Sequence, residues 1–124
     1  MILTKKLPEA EFAVMKAVWA LPSPVTAPEV LITLSGTEKE WKPQTVVTLL
    51  TRLEKKGFLR SEKPGKEREF TAAITEEAYL HFETRQFLEK FDGRSMSAFV
   101  SALADEKGLT NQEANELMDW LDRQ

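Results

Sequence analysis

Six side chains between positions 44 and 55 carry the chemistry of a polar reader. Gln44, Thr45, Thr48, Thr51, Arg52 and Lys55 supply amide, hydroxyl and cationic groups, the types that hydrogen-bond base edges and phosphates. Their spacing places them on one side of a helix. Val46, Leu49, Leu50 and Leu53, interleaved with them, recur at the i, i+3, i+4, i+7 interval of a single apolar stripe. Pro43 suits the first turn of such a helix, and Gly57 suits the left-handed residue just past its end. The stretch WKPQTVVTLLTRLEKKGFL, from Trp41 to Leu59, therefore predicts a helix with a core face and a face turned to a partner.

Charge points to the nature of that partner. The chain has a net charge of −3, but residues 1–72 hold 12 Lys+Arg against 9 Asp+Glu and residues 73–124 hold 5 against 11. The basic excess is densest in residues 42–60, where Lys42, Arg52, Lys55, Lys56 and Arg60 meet only Glu54. Such a patch is the footprint of a phosphate-binding surface joined to an acidic module with another task. Lys55 and Lys56 also suit a second use, since cations at a helix carboxyl end complement its dipole.

Other chemistries find little support. The single histidine, His81, falls in an amphipathic stretch as a packing or surface residue, and the five glycines are scattered singly rather than in a phosphate loop. Glu76 and Glu77 sit where the first turn of a helix favours negative charge. With no cysteine there is neither a disulfide framework nor a thiolate metal site. No catalysis, metal or cofactor is expected. No run approaches the roughly 18 apolar residues of a membrane helix, and MILTKKLPEAEF lacks the apolar stretch of a secretory signal, so a soluble cytoplasmic protein without membrane insertion is expected.

The elements that must position the reading side chains follow from periodicity and breakers. Pro8 to Ala20, with Phe12, Met15, Val18 and Trp19 on one side, predicts a helix that LPSPV ends, leaving an edge strand of one or two residues. Thr26 and Glu29 match a capping box opening a short helix over about 27–34, with Val30, Leu31 and Leu34 inward. After Gly57, FLRSEKPGKEREFTAA predicts two short strands around Pro64 and Gly65. Three helices followed by a hairpin is the order of a winged helix-turn-helix, in which Lys63, Lys66 and Arg68 of the wing would meet phosphate or serve solubility alone.

Beyond it, Thr75 opens a helix with Tyr79, Phe82, Phe87, Leu88 and Phe91; a second carries Met96, Phe99, Val100 and Leu103; and a Thr110–Glu113 capping box opens a third with Leu117, Trp120 and Leu121. The expected class is mainly α with a small β wing. A winged helix-turn-helix DNA-binding domain would span residues 1–73, and a three-helix dimerisation domain residues 74–124. Phe87, Phe91, Met96, Phe99, Val100, Leu103, Leu117, Trp120 and Leu121 are the dimerisation candidates, because a helix-turn-helix reader meets two half-sites through a two-fold dimer.

LPEAEFAVMKAVW, PVTAPEV, WKPQTVVTLLTRLEKKGFL, GKEREFT and the short acidic tail together resemble the penicillinase repressor family of BlaI/MecI-type transcriptional regulators. The resemblance implies a homodimeric repressor on an inverted-repeat operator of double-stranded DNA. It also implies that residues matching Gln44, Thr45, Thr48 and Arg52 face the major groove, often over a TACA/TGTA-type half-site. The family often has Lys where Gln44 stands, and Arg52, a turn or more further along, is better placed for phosphate than for a base. In β-lactam-responsive members, release is implied to follow cleavage of an Asn-Phe bond in the dimerisation region after a membrane sensor protease detects antibiotic. The matching bond here is Ser101–Ala102, with different residues. Copper-responsive relatives carry a cysteine-rich tail, which this chain lacks. Two other readings stay open: a small-molecule-sensing regulator with Phe82, Phe87, Phe91 and Phe99 around a cavity, and a winged helix used only for protein contacts.

Overall fold

The computed structural model describes residues 6–37, 39–90, 102, 103, 105, 108 and 110–123, the side chain of Leu121 excepted. Helix α1 runs Glu9–Ala20, opening after Pro8, whose carbonyl accepts from the Phe12 amide at 2.9 Å. It stops at Leu21, which turns extended ahead of Pro22, a residue without an amide to continue the ladder. The edge strand β1, Val25–Thr26, leads directly into α2, Ala27–Leu34. The capping box is present: the Thr26 amide donates to Glu29 Oε1 at 2.8 Å and the Glu29 amide to Thr26 Oγ1 at 3.4 Å.

Helix α3 spans Pro43–Lys55, with Pro43 in its first turn and Gly57 at φ 87° just beyond its end. Strands β2, Leu59–Glu62, and β3, Glu69–Ala72, follow as an antiparallel hairpin. β1 pairs with the far side of β3, Val25 opposite Phe70, so the sheet order is β1-β3-β2. Alternation along these strands turns Leu59 and Phe70 inward and Arg60 and Glu62 outward.

The core is built from one face of each element. Val14, Met15, Val25, Val30, Val46, Leu50 and Leu53 are fully buried. Helix α4, Glu76–Lys90, is opened by Thr75, whose hydroxyl accepts from the Ala78 amide at 3.1 Å. Tyr79 in its first turn is buried among the rings of Phe12, Trp19, Phe58 and Phe82.

That cluster decides where the compact units divide. One unit is 1–84 and the other 85–124, a division inside α4 and beyond the expected boundary after Ala73. Tyr79 and Phe82, expected as apolar surface of the tail, pack against the winged core instead.

In the second unit, helix α5 spans Asn111–Asp122. Thr110 and Glu113 form the expected reciprocal cap, at 3.0 and 3.1 Å, and hydrogen bonds from the Thr110 amide and hydroxyl hold the Glu113 carboxyl below its ordinary range. Of the helix expected around Met96 to Leu103, most lies outside the described residues, while Ala102 and Leu103 are helical.

Candidate nucleic-acid interface

Helix α3 separates its two faces cleanly. Val46, Leu49, Leu50 and Leu53 are buried, whereas Gln44, Thr45, Thr48, Thr51, Arg52 and Lys55 are all exposed. Thr51 turns its hydroxyl back onto the Val47 carbonyl at 2.9 Å, which spends its donor and leaves its methyl group outward. The start of the helix is held by the turn from α2. There the Thr37 hydroxyl donates to the Leu34 carbonyl at 2.7 Å and accepts from Trp41 Nε1 at 3.2 Å, with the Lys39 ammonium 4.8 Å from the Trp41 ring centre.

The starts of α2 and α3 differ in chemistry. α2 is closed by its own carboxylate, whereas α3 has no acidic residue in its first turn, and its N-cap, Lys42, makes no capping bond. The free amides and positive dipole end of α3 are therefore open to an anion. Lys42, Gln44 and Thr45 are the exposed side chains around that end.

The wing adds cations beside the helix. Lys63, Lys66 and Arg68 are exposed at or near the β2–β3 turn. Arg68 is tied down: its Nη1 donates to Ser61 Oγ at 3.0 Å, and Ser61 Oγ donates to Glu54 Oε2 on α3 at 2.7 Å. Arg68 is thus linked through a strand hydroxyl to the last turn of α3.

The sequence footprint counted Lys56 with the phosphate-facing cations, and here the structure differs. Lys56 Nζ lies 2.5 Å from Glu11 Oε1 on α1. Glu11 was not anticipated, although its signal is legible. It occupies the stripe of Val14, Met15 and Val18 at i, i+3, i+4 and i+7, and a carboxylate on a core stripe requires a buried partner. Ser61 left no such signal, because its role depends on strand register.

The dimerisation candidates lie in the second unit. Phe87 is exposed on α4, and Leu117 and Trp120 are half-buried on α5. Ala102 is exposed and Leu103 half-buried. Phe91, Met96, Phe99, Val100 and Ser101, with the Leu121 side chain, lie outside the described residues.

Of the four rings of the sensor reading, Phe91 and Phe99 lie outside the described residues. A groove of about 390 Å³ opens on Phe12, Trp19, Tyr79 and Leu80, with Glu76, Glu77 and Glu83 around it. Among the described residues no cluster could hold a metal, and no helix is long and apolar enough to cross a membrane.

The sequence model described as penicillinase repressor matches residues 7–123. The chain belongs to the penicillinase repressor family. The chain is 35% identical to the penicillinase repressor of Bacillus licheniformis over 121 residues, covering 95% of this chain and 93% of the relative. It is 26% identical to the methicillin resistance regulatory protein MecI of Staphylococcus aureus strain N315 over 120 residues, 97% and 96% of the two chains. The solved DNA-binding domain of the repressor BlaI is similar at TM-score 0.51 and 39% identity, over 60% of this chain and 88% of that one. Monomeric B. licheniformis BlaI in complex with the blaP half-operator matches at TM-score 0.50 and 39% identity, over 60% and 89%. Penicillinase repressors are transcriptional regulators, not enzymes, and the winged helix found here is their DNA-binding fold.

Proposed function

We propose that this penicillinase repressor family member is a cytoplasmic homodimer that binds an inverted-repeat operator, each protomer laying α3 in the major groove and its wing along the backbone. The reading is carried by α3, whose exposed face holds Gln44, Thr45, Thr48, Arg52 and Lys55 while its other face is locked in the core. Thr48 and Thr45 offer methyl and hydroxyl groups to base edges, Gln44 an amide suited to adenine N6 and N7. Lys42, Arg52, Lys55, Lys63, Lys66 and Arg68 meet phosphates and set the docking register. The similar relative, a monomeric repressor in complex with a half-operator, supports this reading.

The chain beyond the winged unit dimerises in this reading, joined through Phe87, Phe91, Met96, Phe99, Val100, Leu103, Leu117, Trp120 and Leu121. Occupying the operator blocks transcription, and an inducing signal ends it. Cleavage in the dimerisation region at Ser101–Ala102, prompted by a membrane sensor protease, is the proposed route of release. Cutting there would separate the second half of the dimerisation segment from the first and return the protein to monomers.

The test compares Thr48→Ala with Lys66→Ala on operator and random duplexes. The first should cost about 1–3 kcal/mol on the operator alone. The second should weaken both duplexes alike and make the salt dependence shallower by about 0.9 per phosphate lost. Equal effects of the two variants on both duplexes would refute the assignment of helix and wing.

A further inference from the structure

Glu11 is the one buried charged side chain among the described residues. Its carboxylate reaches across from α1 to Lys56, the residue that caps α3. The same chain exit is fixed at two further points. The Phe58 amide donates to the Leu53 carbonyl at 2.9 Å, and the Phe58 carbonyl accepts from the Ala73 amide at 2.8 Å. Between them Gly57 takes the positive φ that turns the chain from helix to wing.

We infer that Glu11 is a positioning residue of DNA binding: it withholds the Lys56 ammonium from phosphate and ties the carboxyl end of α3, where the wing departs, to α1. The inference rests on the DNA-binding reading above. Two adjacent lysines thereby have opposite roles. Lys55 is exposed and makes no ion pair among the described residues, so its charge is available to release a counterion. Lys56 is half-exposed, but its charge is cancelled by a carboxylate only 6% exposed. Taking that ammonium to a phosphate would leave Glu11 as an uncompensated buried charge, a state that proteins avoid. The latch is therefore held by the burial of Glu11 rather than by the strength of a surface pair.

Neutral, nearly isosteric changes test this on the full chain. The slope of log affinity against log salt on a random-sequence duplex is read between about 50 and 200 mM salt. Lys55→Gln should make the slope shallower by about 0.9, the value for one lost phosphate contact. Lys56→Gln should leave it at the parental value. Glu11→Gln should steepen it by about 0.9, because Lys56 is then an uncompensated cation, and adding Lys56→Gln to Glu11→Gln should restore the parental slope. A purely structural role for Glu11 predicts no steepening and no such restoration.

The inference is overturned if Lys56→Gln flattens the slope as much as Lys55→Gln does, or if folded Glu11→Gln leaves it unchanged. If thermal melts show Glu11→Gln unfolded, the Lys56→Gln arm decides alone. A parental protein without salt-dependent duplex binding would overturn the DNA-binding reading itself, and the latch with it. Parental binding that Lys55→Gln weakens, with Lys56→Gln equally weakening, would overturn the latch only.

Discussion

The Tyr79 hydroxyl accepts a hydrogen bond from the Leu7 amide at 2.7 Å, while the residue is only 1% exposed. Burial pushes the phenol up from 10.0 to about 12; the Leu7 donor opposes the rise, and the neighbouring Glu83 carboxylate adds to it. The sign follows from linkage. A folded-state value above the unfolded one means that folding favours the protonated phenol, so its contribution is complete below pH 10 and is lost as pH rises from about 10 to 12. At about 1.36 kcal/mol per unit, the loss approaches 3 kcal/mol as an upper figure. Tyr79→Phe should lower stability at neutral pH by about 1–3 kcal/mol, since the buried Leu7 amide loses its acceptor. Denaturant melts of both proteins from pH 8 to 12 check this: the gap between them should narrow above pH 10, and parallel curves would discount the phenol. Tyr79 is also where a residue's type was legible but not its destination. The periodicity of α4 marks it as inward-facing, yet nothing in the spacing says that the first turns belong to the winged core. Glu11 is the counterpart, a charge on an apolar stripe whose partner 45 residues away is visible only in three dimensions.

Elements were more legible than contacts, because their signals are local. The Thr26–Glu29 box, Pro43 and Gly57 each act within one turn of the chain, and the ends of α2 and α3 fall where they indicate. The wing was legible as a hairpin from Pro64 and Gly65, but not the Arg68–Ser61–Glu54 chain that joins it to α3. That chain requires the pairing of Ser61 with Phe70 and the height of the hairpin along the helix, neither of which alternation specifies. Two glycines separate conformational need from turn preference. Gly57 sits at φ 87°, where a side chain costs roughly 1–2 kcal/mol. Gly65 has no positive φ, and a methyl group there would meet nothing within 4 Å. Gly57→Ala should therefore lower the unfolding free energy by about that amount, while Gly65→Ala should stay within about 0.5 kcal/mol. A second element-level expectation concerns Thr26→Ala, which removes the side-chain half of the α2 cap and should cost about 0.5–2 kcal/mol. Chemical denaturation of the three variants ranks them, and a Gly65→Ala loss matching that of Gly57→Ala would contradict the assigned backbone geometry.

At the scale of the molecule, charge divides along the chain: residues 1–72 sum to +3 and residues 73–124 to −6, so the part proposed to meet DNA is electrostatically distinct from the rest. An acidic segment gains nothing from phosphate, and the proposed use of its apolar residues is association with a second copy of the chain. Leu117 and Trp120 are half-buried on α5, on a helix whose polar residues already face outward. In a two-fold dimer the second winged domain docks at an effective concentration set by the first. Dimerisation therefore raises affinity for a paired site by roughly 10²–10⁴ without any new base contact. Trp120→Ala, which removes a large apolar side chain from α5, should shift the protein toward monomers in sedimentation and make its thermal midpoint less dependent on protein concentration. It should weaken binding to a duplex with two inverted half-sites by about that same factor of 10²–10⁴ at concentrations where monomers prevail. Binding to a duplex with one half-site should stay at the parental level, because a single winged unit carries every proposed base contact. Equal weakening on both duplexes would mean that α5 supports the reading surface rather than the dimer, and the division of labour between the two halves of the chain would fall.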